Sequence, residues 1–429
     1  MMRMISRSAL GIALAAGIMT AGFVTSATAA EKAAKESASP GFVKVAGPFQ
    51  KAVIAAKTRP DVVAAKGNRA ALATALAAEK AQVEPVLAAA ATPFDKYTAG
   101  GLIVTLGQYA EDEQLLKQGL SAMIDSGKAP NQAQLQFFLG QINYNLKDFA
   151  GAQAALQAAV AGGYRDNDAE ALLAQSYISG GKPAEGVAVL RRAIESKPAG
   201  SPAPENWYRV GLGSAFKIKQ LDQATFFSSG LAQNYPSKPN WGVAIAIVRD
   251  IGRYQAQESL DLLRLMQRTD SFTEGRDYID FIQAADARRF PGEVIKVIEA
   301  GTAAGKLPAS DAFVTEARSI ATSRIAADRA SLPALERDAR APTATLATIT
   351  AAGDTFLSYG EPAKAIEFYT AALTKPGVDA ARVNTRLGIA QVDKGDYAAA
   401  QASFAKVDGP RKPLGQLWSI YARQKAAGK

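Results

Sequence analysis

The chain contains neither cysteine nor histidine. Without a thiol there is no disulfide, no lipid-modified cysteine and no thiolate nucleophile. Without imidazole as well, the usual zinc ligand sets and Ser-His-Asp triads are excluded. Only carboxylate, lysine or hydroxyl chemistry remains open. Aromatic residues make up 8% of the chain. After the first thirty residues no apolar run approaches the roughly 20 residues that a membrane-spanning helix needs. Neither sign of charge dominates, with 49 Lys and Arg against 40 Asp and Glu for a net +9. The two signs are interleaved, so there is no basic stripe of the kind that binds nucleic acid. The segment 31–91 is mildly basic and reads as a solvated face.

What is present is helical. The 429 residues are 48% hydrophobic and rich in alanine, the best helix former. That length exceeds one small core and implies several domains or one repeat array. At the start, Arg3 and Arg7 precede the uncharged run Ala9 to Val24 and the small-x-small triplet Ala27-Thr28-Ala29. This pattern predicts a cleaved Sec-type signal peptide, and hence a periplasmic or secreted protein that is not a lipoprotein. The alternative is an uncleaved anchor and a membrane-tethered organiser; the apolar run is short for that.

One pattern returns along the chain. Leu139-Gly140 is followed by Tyr144, Asp148-Phe149, Ala152, Leu156 and Ala159. At the same spacing, Leu173-Ala174 is followed by Tyr177, Gly181-Lys182-Pro183, Gly186, Leu190 and Ala193. The apolar residues fall on helical stripes, and a breaker separates two runs in each unit. A glycine able to take the left-handed conformation ends the first helix, and a proline suits the first turn of the second. Each unit is therefore a helical hairpin, which cannot bury its apolar faces without a stacked neighbour.

Further copies carry Trp207, Gly211, Ala224 and Leu231, then Gly353, Ala365 and Tyr369, then Leu387-Gly388, Gly395-Asp396-Tyr397, Ala400 and Phe404. In period, in the L-G pair, in the D-F or G-x-P turn and in the A…L…A second helix, the chain resembles the tetratricopeptide repeat (TPR) family. The signature residues are Leu139, Gly140, Ala152, Leu173, Gly186, Gly353, Ala365, Leu387, Gly388 and Ala400. The resemblance implies an all-α fold, a superhelical α-solenoid of about six or seven helix-turn-helix units.

The expected organisation is a signal peptide at 1–30, a flexible start at 31–40 and divergent helical hairpins at 41–130. TPR repeats follow at 131–238, degenerate hairpins at 239–342, a C-terminal TPR pair at 343–410 and a capping helix at 411–429. Within the degenerate block, Asp311 to Arg329 and Leu332 to Arg340 read as two helices.

Candidate chemistry is sparse. Gly127-Lys128, Gly181-Lys182 and Gly305-Lys306 lack the rest of a phosphate loop and read as helix C-caps. Glu111-Asp112-Glu113 reads as a helix start, where carboxylates suit the dipole. No catalytic residue, metal site or cofactor is expected. The TPR resemblance implies that the first helix of each hairpin lines a concave partner-binding face. By position that face comprises Gln134, Phe137, Gln141, Asn145, Asp168, Gln175, Ser179, Glu205, Tyr208 and Leu212, with Phe216 beside it. Near the C-terminus the same positions are Asp354, Ser358, Arg382, Thr385 and Asp393. The expected function is a non-catalytic exported scaffold for a protein or peptide, in envelope assembly, secretion or polysaccharide machinery. An accessory subunit of an envelope enzyme and a glycan-binding module are the alternatives.

Overall fold

The computed structural model describes residues 37–198 and 200–428. The signal peptide expected at 1–30 and most of the 31–40 segment lie outside these residues. The described chain is all-helical and divides into two compact units, Met1–Pro198 and Ala199–Lys429. That division falls inside the 131–238 block read from the sequence.

Unit 1 opens with α1 (Pro40–Ala56) and a series of short helices, α2 (Pro60–Ala65), α3 (Arg69–Ala75), α4 (Ala77–Lys80) and α5 (Val83–Ala89). The alanine-rich run over 69–91, within the hairpins expected at 41–130, has the composition of one continuous helix. It breaks instead at Leu76 and at Ala81-Gln82, neither of which carries a side-chain cap. Three regular hairpins follow: α6 (Pro93–Ala110) with α7 (Glu113–Asp125), α8 (Gln132–Asn145) with α9 (Phe149–Ala161), and α10 (Ala169–Ser179) with α11 (Pro183–Glu195). Asp95 ties the two ends of the opening segment together. Fully buried, it caps α6 with Thr92 and also accepts from the Ser39 N–H at 2.9 Å.

Unit 2 contains α12 (Glu205–Lys217), α13 (Leu221–Asn234), α14 (Lys238–Gly252), α15 (Ala256–Arg268), α16 (Gly275–Ala285) and α17 (Pro291–Ala303). It continues with α18 (Ala312–Arg340), α19 (Leu346–Ser358), α20 (Pro362–Ala372), α21 (Ala380–Lys394), α22 (Tyr397–Phe404) and, after a short 3-10 turn, α23 (Lys412–Ala426). Successive helices pack on one another, giving an α-solenoid of tetratricopeptide-like hairpins. The two helices expected over 311–340 are one. Pro333 sits on its exposed side, where the carbonyl it leaves unbonded faces water and the helix runs on.

The local rules are legible. Proline opens α1, α2, α6, α11, α17 and α20, at the position where a missing N–H costs nothing. Gly127, Gly181 and Gly305 each have positive φ just past a helix, so the three Gly-Lys pairs are turns. The main packing rule is a close crossing within each hairpin. A Cβ on Gly140 would lie 2.5 Å from Leu156 Cγ, and one on Gly353 would lie 2.7 Å from Tyr369 Cε1. Gly211 meets Phe227 and Gly388 meets Phe404 in the same way, at 2.3 and 2.4 Å. In each case the large side chain stands at the same offset down the chain, so glycine here makes room for the second helix's anchor.

The last helix departs from expectation. A capping helix should cover one neighbour and turn a polar face outward. In α23, Leu414, Leu417, Trp418, Ile420, Tyr421 and Ala422 are all buried. It packs on α22 but also on α13, α14, α15 and α21. The Gln424 amide donates to Ala232 O at 2.7 Å, and Trp418 Nε1 donates to Asp261 O at 3.0 Å. Unit 2 therefore closes on itself.

Replacing Gly388 by leucine should drive its side chain into the Phe404 ring and cost roughly 1–3 kcal/mol. A lower urea midpoint is expected, partly recovered when Phe404→Ala is added to Gly388→Leu. An unchanged midpoint in the single variant would show that the crossing is looser than described.

Candidate functional site

The first-helix positions behave differently in the two units. On α8, Gln134 and Gln141 are half-buried and Asn145 is exposed; on α10, Gln175 is half-buried while Asp168 and Ser179 are exposed. These side chains form a polar row. Gln175 Nε2 donates to Ser179 Oγ at 3.1 Å, and Ser179 Oγ is 3.2 Å from Tyr144 Oη. Asn145 Nδ2 donates to Glu113 Oε1 at 3.3 Å, linking α8 to α7. On α12 of unit 2, Glu205 and Leu212 are half-buried and Phe216 is 55% exposed.

Five of the assigned partner-facing positions, Phe137, Tyr208, Asp354, Ser358 and Thr385, are buried and require correction. Phe137 is fully buried and stacks on Tyr164, with ring centroids 4.8 Å apart. Tyr208 is only 3% exposed, and a Cβ on Gly230 of α13 would touch its ring at 2.4 Å. Both residues stand three places before the crossing glycine, Gly140 or Gly211. That position turns toward the next helix, so neither side chain is open to a partner. Thr385, three before Gly388, is buried for the same reason.

In the C-terminal hairpins of unit 2 the equivalent row is occupied by charge. Asp354 and Arg382 belong to an ion-pair network that the sequence did not reveal. Its centre is α15. Asp261 is fully buried and Arg264 is 2% exposed. They pair at 3.0 Å, while Arg264 grips Glu293 of α17 with two hydrogen bonds of 2.9 and 2.6 Å. Asp261 also accepts from Arg411 at 3.1 Å and lies 3.4 Å from Arg386 of α21. Arg386, almost fully buried, donates to Asp354 at 2.6 Å and to Gln257 at 2.9 Å. Asp354 accepts from the Tyr369 hydroxyl at 2.7 Å and from Arg382 at 3.1 Å. Nearby, Asp393 pairs with Arg268 at 2.5 Å, and the Arg268 guanidinium stands over the Trp418 ring.

The electrostatics follow from burial and pairing. Burial acts most strongly on Asp354 and pushes its carboxyl upward, but Arg386 and Arg382 outweigh it and hold the group below the usual carboxylate value. Burial drives the Tyr369 hydroxyl well above its ordinary value, and the Asp354 charge adds to that. Arg264 and Arg386 are kept firmly protonated: burial opposes their charge, and the surrounding carboxylates overcome it. Removing water from such ions is costly, and only complete pairing offsets it. Among the described residues no group of His, Cys, Asp or Glu is arranged to hold a metal ion.

No protein-family model matches the chain, and no curated protein matches it. Similar solved structures include Naa15/Naa10 bound to HypK-THB, at 13% identity and TM-score 0.38, covering 90% of this chain and 69% of that one. The TPR domain of P58(IPK) is similar at 11% identity and TM-score 0.21, covering 90% and 99%. Human IFIT1 in its dimer with PPP-AAAA is similar at 13% identity and TM-score 0.22, covering 77% and 87%. None of these superpositions is close enough to assign a function.

Asp354→Asn should leave Arg386 buried without its charge partner, at a cost of about 3–5 kcal/mol. Because the Asp354 pKa is lowered in the folded state, its contribution is present above the unfolded carboxylate value near 3.8 and is lost as pH falls through the folded value. Urea midpoints measured across acid pH should therefore be lower for Asp354→Asn at neutral pH and less steep on the acid limb. Parallel curves for the two proteins would remove Asp354 from the acid response.

Proposed function

We propose that the chain is an exported, non-catalytic scaffold that binds a protein or peptide along the polar row of α8 and α10. The observation that carries this reading is the row itself. Gln134, Asn145, Gln175 and Ser179 leave amide and hydroxyl groups at the surface of two stacked first helices, and Asp168 is exposed just before α10. Preformed helices offer such groups at little ordering cost, which favours recognition of an extended partner. The signal-like start supports export, and a chain beginning at Ala30 or Glu31 in the envelope fraction is the expected product. With export, envelope assembly, secretion or polysaccharide machinery is the setting. The scarcity of nucleophiles and bases favours binding over catalysis.

Placing a photo-crosslinking residue at Asn145 or Ser179 in the native cells should trap one dominant envelope protein. The same residue at the buried Tyr208 should trap none and should destabilise the fold. Only self-links, or a scatter of abundant neighbours, from Asn145 and Ser179 would overturn protein scaffolding.

Replacing Gln175 by arginine should abolish the crosslink while leaving the chain folded with only a small shift in thermal midpoint, since its amide bonds to Ser179 at the exposed side. Retained crosslinking in that variant would move the binding row elsewhere.

A further inference from the structure

Asp354 is unusual in facing three guanidinium groups through one oxygen. Its Oδ2 lies 2.6 Å from Arg386, 3.1 Å from Arg382 and 3.7 Å from Arg289. The neighbouring acids are already engaged: Glu293 is gripped by Arg264, and Asp261 by Arg264 and Arg411. One carboxylate cannot satisfy three such cations, because each guanidinium presents five N–H donors in a rigid fork. Arg386 is enclosed; its two terminal nitrogens donate to Asp354 and Gln257, and its Nε faces Asp261 at 3.4 Å. Arg382 and Arg289 are not enclosed, with side chains 33% and 46% exposed.

Arg289 is the less committed of the two. It leaves the bend after α16, where Asp286 has a φ of 58°, and its guanidinium lies over the Phe290 ring at 5.1 Å. At 3.7 Å from Asp354 it is beyond hydrogen-bond distance. Burial and the nearby Arg386, Arg382 and Arg264 act against its charge, and Asp354 only partly compensates. The ring fixes one face of the guanidinium and leaves its N–H edge free. Arg382 makes a single side-chain hydrogen bond among the described residues, to the same Asp354 oxygen. The two forks are thus near neighbours with spare donors on the solvent side of a carboxylate.

We infer that Arg289 and Arg382 form a binding site for an oxyanion, a phosphate or carboxylate group carried by a ligand, at their exposed ends above the buried Asp354. Paired guanidiniums match the planar or tetrahedral oxygens of such groups with bidentate hydrogen bonds. The incoming charge also offsets Arg289 and Arg382, which share the one carboxylate of Asp354, whereas Arg386 faces Asp261 as well. This site lies in unit 2 and does not rest on the scaffold role of α8 and α10.

The test is titration calorimetry on the full mature chain with inorganic phosphate and, separately, with succinate, at ionic strength held constant by sodium chloride. Saturable binding is expected for at least one anion. It should weaken about tenfold or more in Arg289→Gln and persist in Arg288→Gln, whose charge is exposed in the same bend. Preference for phosphate assigns the site to a phosphoryl group, and preference for succinate to a carboxylate. Arg289 is partly exposed and buries no essential contact, so the variant should fold, which its unchanged thermal midpoint would verify. No saturable heat with either anion, or equal affinity in Arg289→Gln, would overturn the inference.

Discussion

The structure depends on close approach of two helices at one small residue. At Gly140, Gly211, Gly353 and Gly388, the absence of a Cβ lets a leucine or aromatic anchor from the second helix reach the first helix's backbone. That contact sets the crossing within a hairpin, and the crossing decides which way every other position on the first helix faces. The inward turn of Phe137 and Tyr208 follows from it, as does the outward turn of Asn145. At Tyr208 the roles are exchanged: the bulky group is on the first helix and Gly230 on the second yields space. The rule is conservation of volume at the crossing rather than a fixed glycine position.

The two units use the same helical face differently. In α8 and α10 it is polar, hydrogen-bonded along its length and partly open to water. In α19 and α21 it carries Asp354, Arg382 and Arg386; Arg386 faces Asp261 of α15, and α15 extends the network through Arg264 to Glu293 of α17 and through Asp261 to Arg411 before α23. The interior of unit 2 is thus joined by ion pairs. Such pairs add little net stability over an apolar core, but they penalise any arrangement that leaves one partner behind. Register and closure are what they enforce.

Much of this was readable from the residues, for physical reasons. Glycine, proline and the anchor side chains act over one hairpin, so their spacing exposes the fold. The face of a residue three places from the crossing is a finer matter, decided by packing against the second helix and the turn after it, and the sequence placed Phe137 and Tyr208 on the wrong side. The ion network was missed because its partners are far apart: Asp261 meets Arg411 across 150 residues and Arg268 meets Asp393 across 125. One local signal did exist. In "LDLLRLM", Leu260 to Met266, Asp261 and Arg264 interrupt a run that is apolar on every side, and all seven residues are buried. Charges on a helix with no polar face have nowhere to go but inward, and must find partners there.

The return of α23 has a temporal meaning. In an open array of repeats, order can begin at any hairpin and spread to its neighbours. Here Trp418 bonds to the backbone of Asp261, 157 residues earlier, and Gln424 reaches Ala232 across 192. Contacts at such separation form slowly, since the intervening chain must first be gathered. The second half of the molecule therefore cannot finish its interior during synthesis until α23 has emerged. Until then, the charges of α15 wait in water for arginines that have yet to arrive.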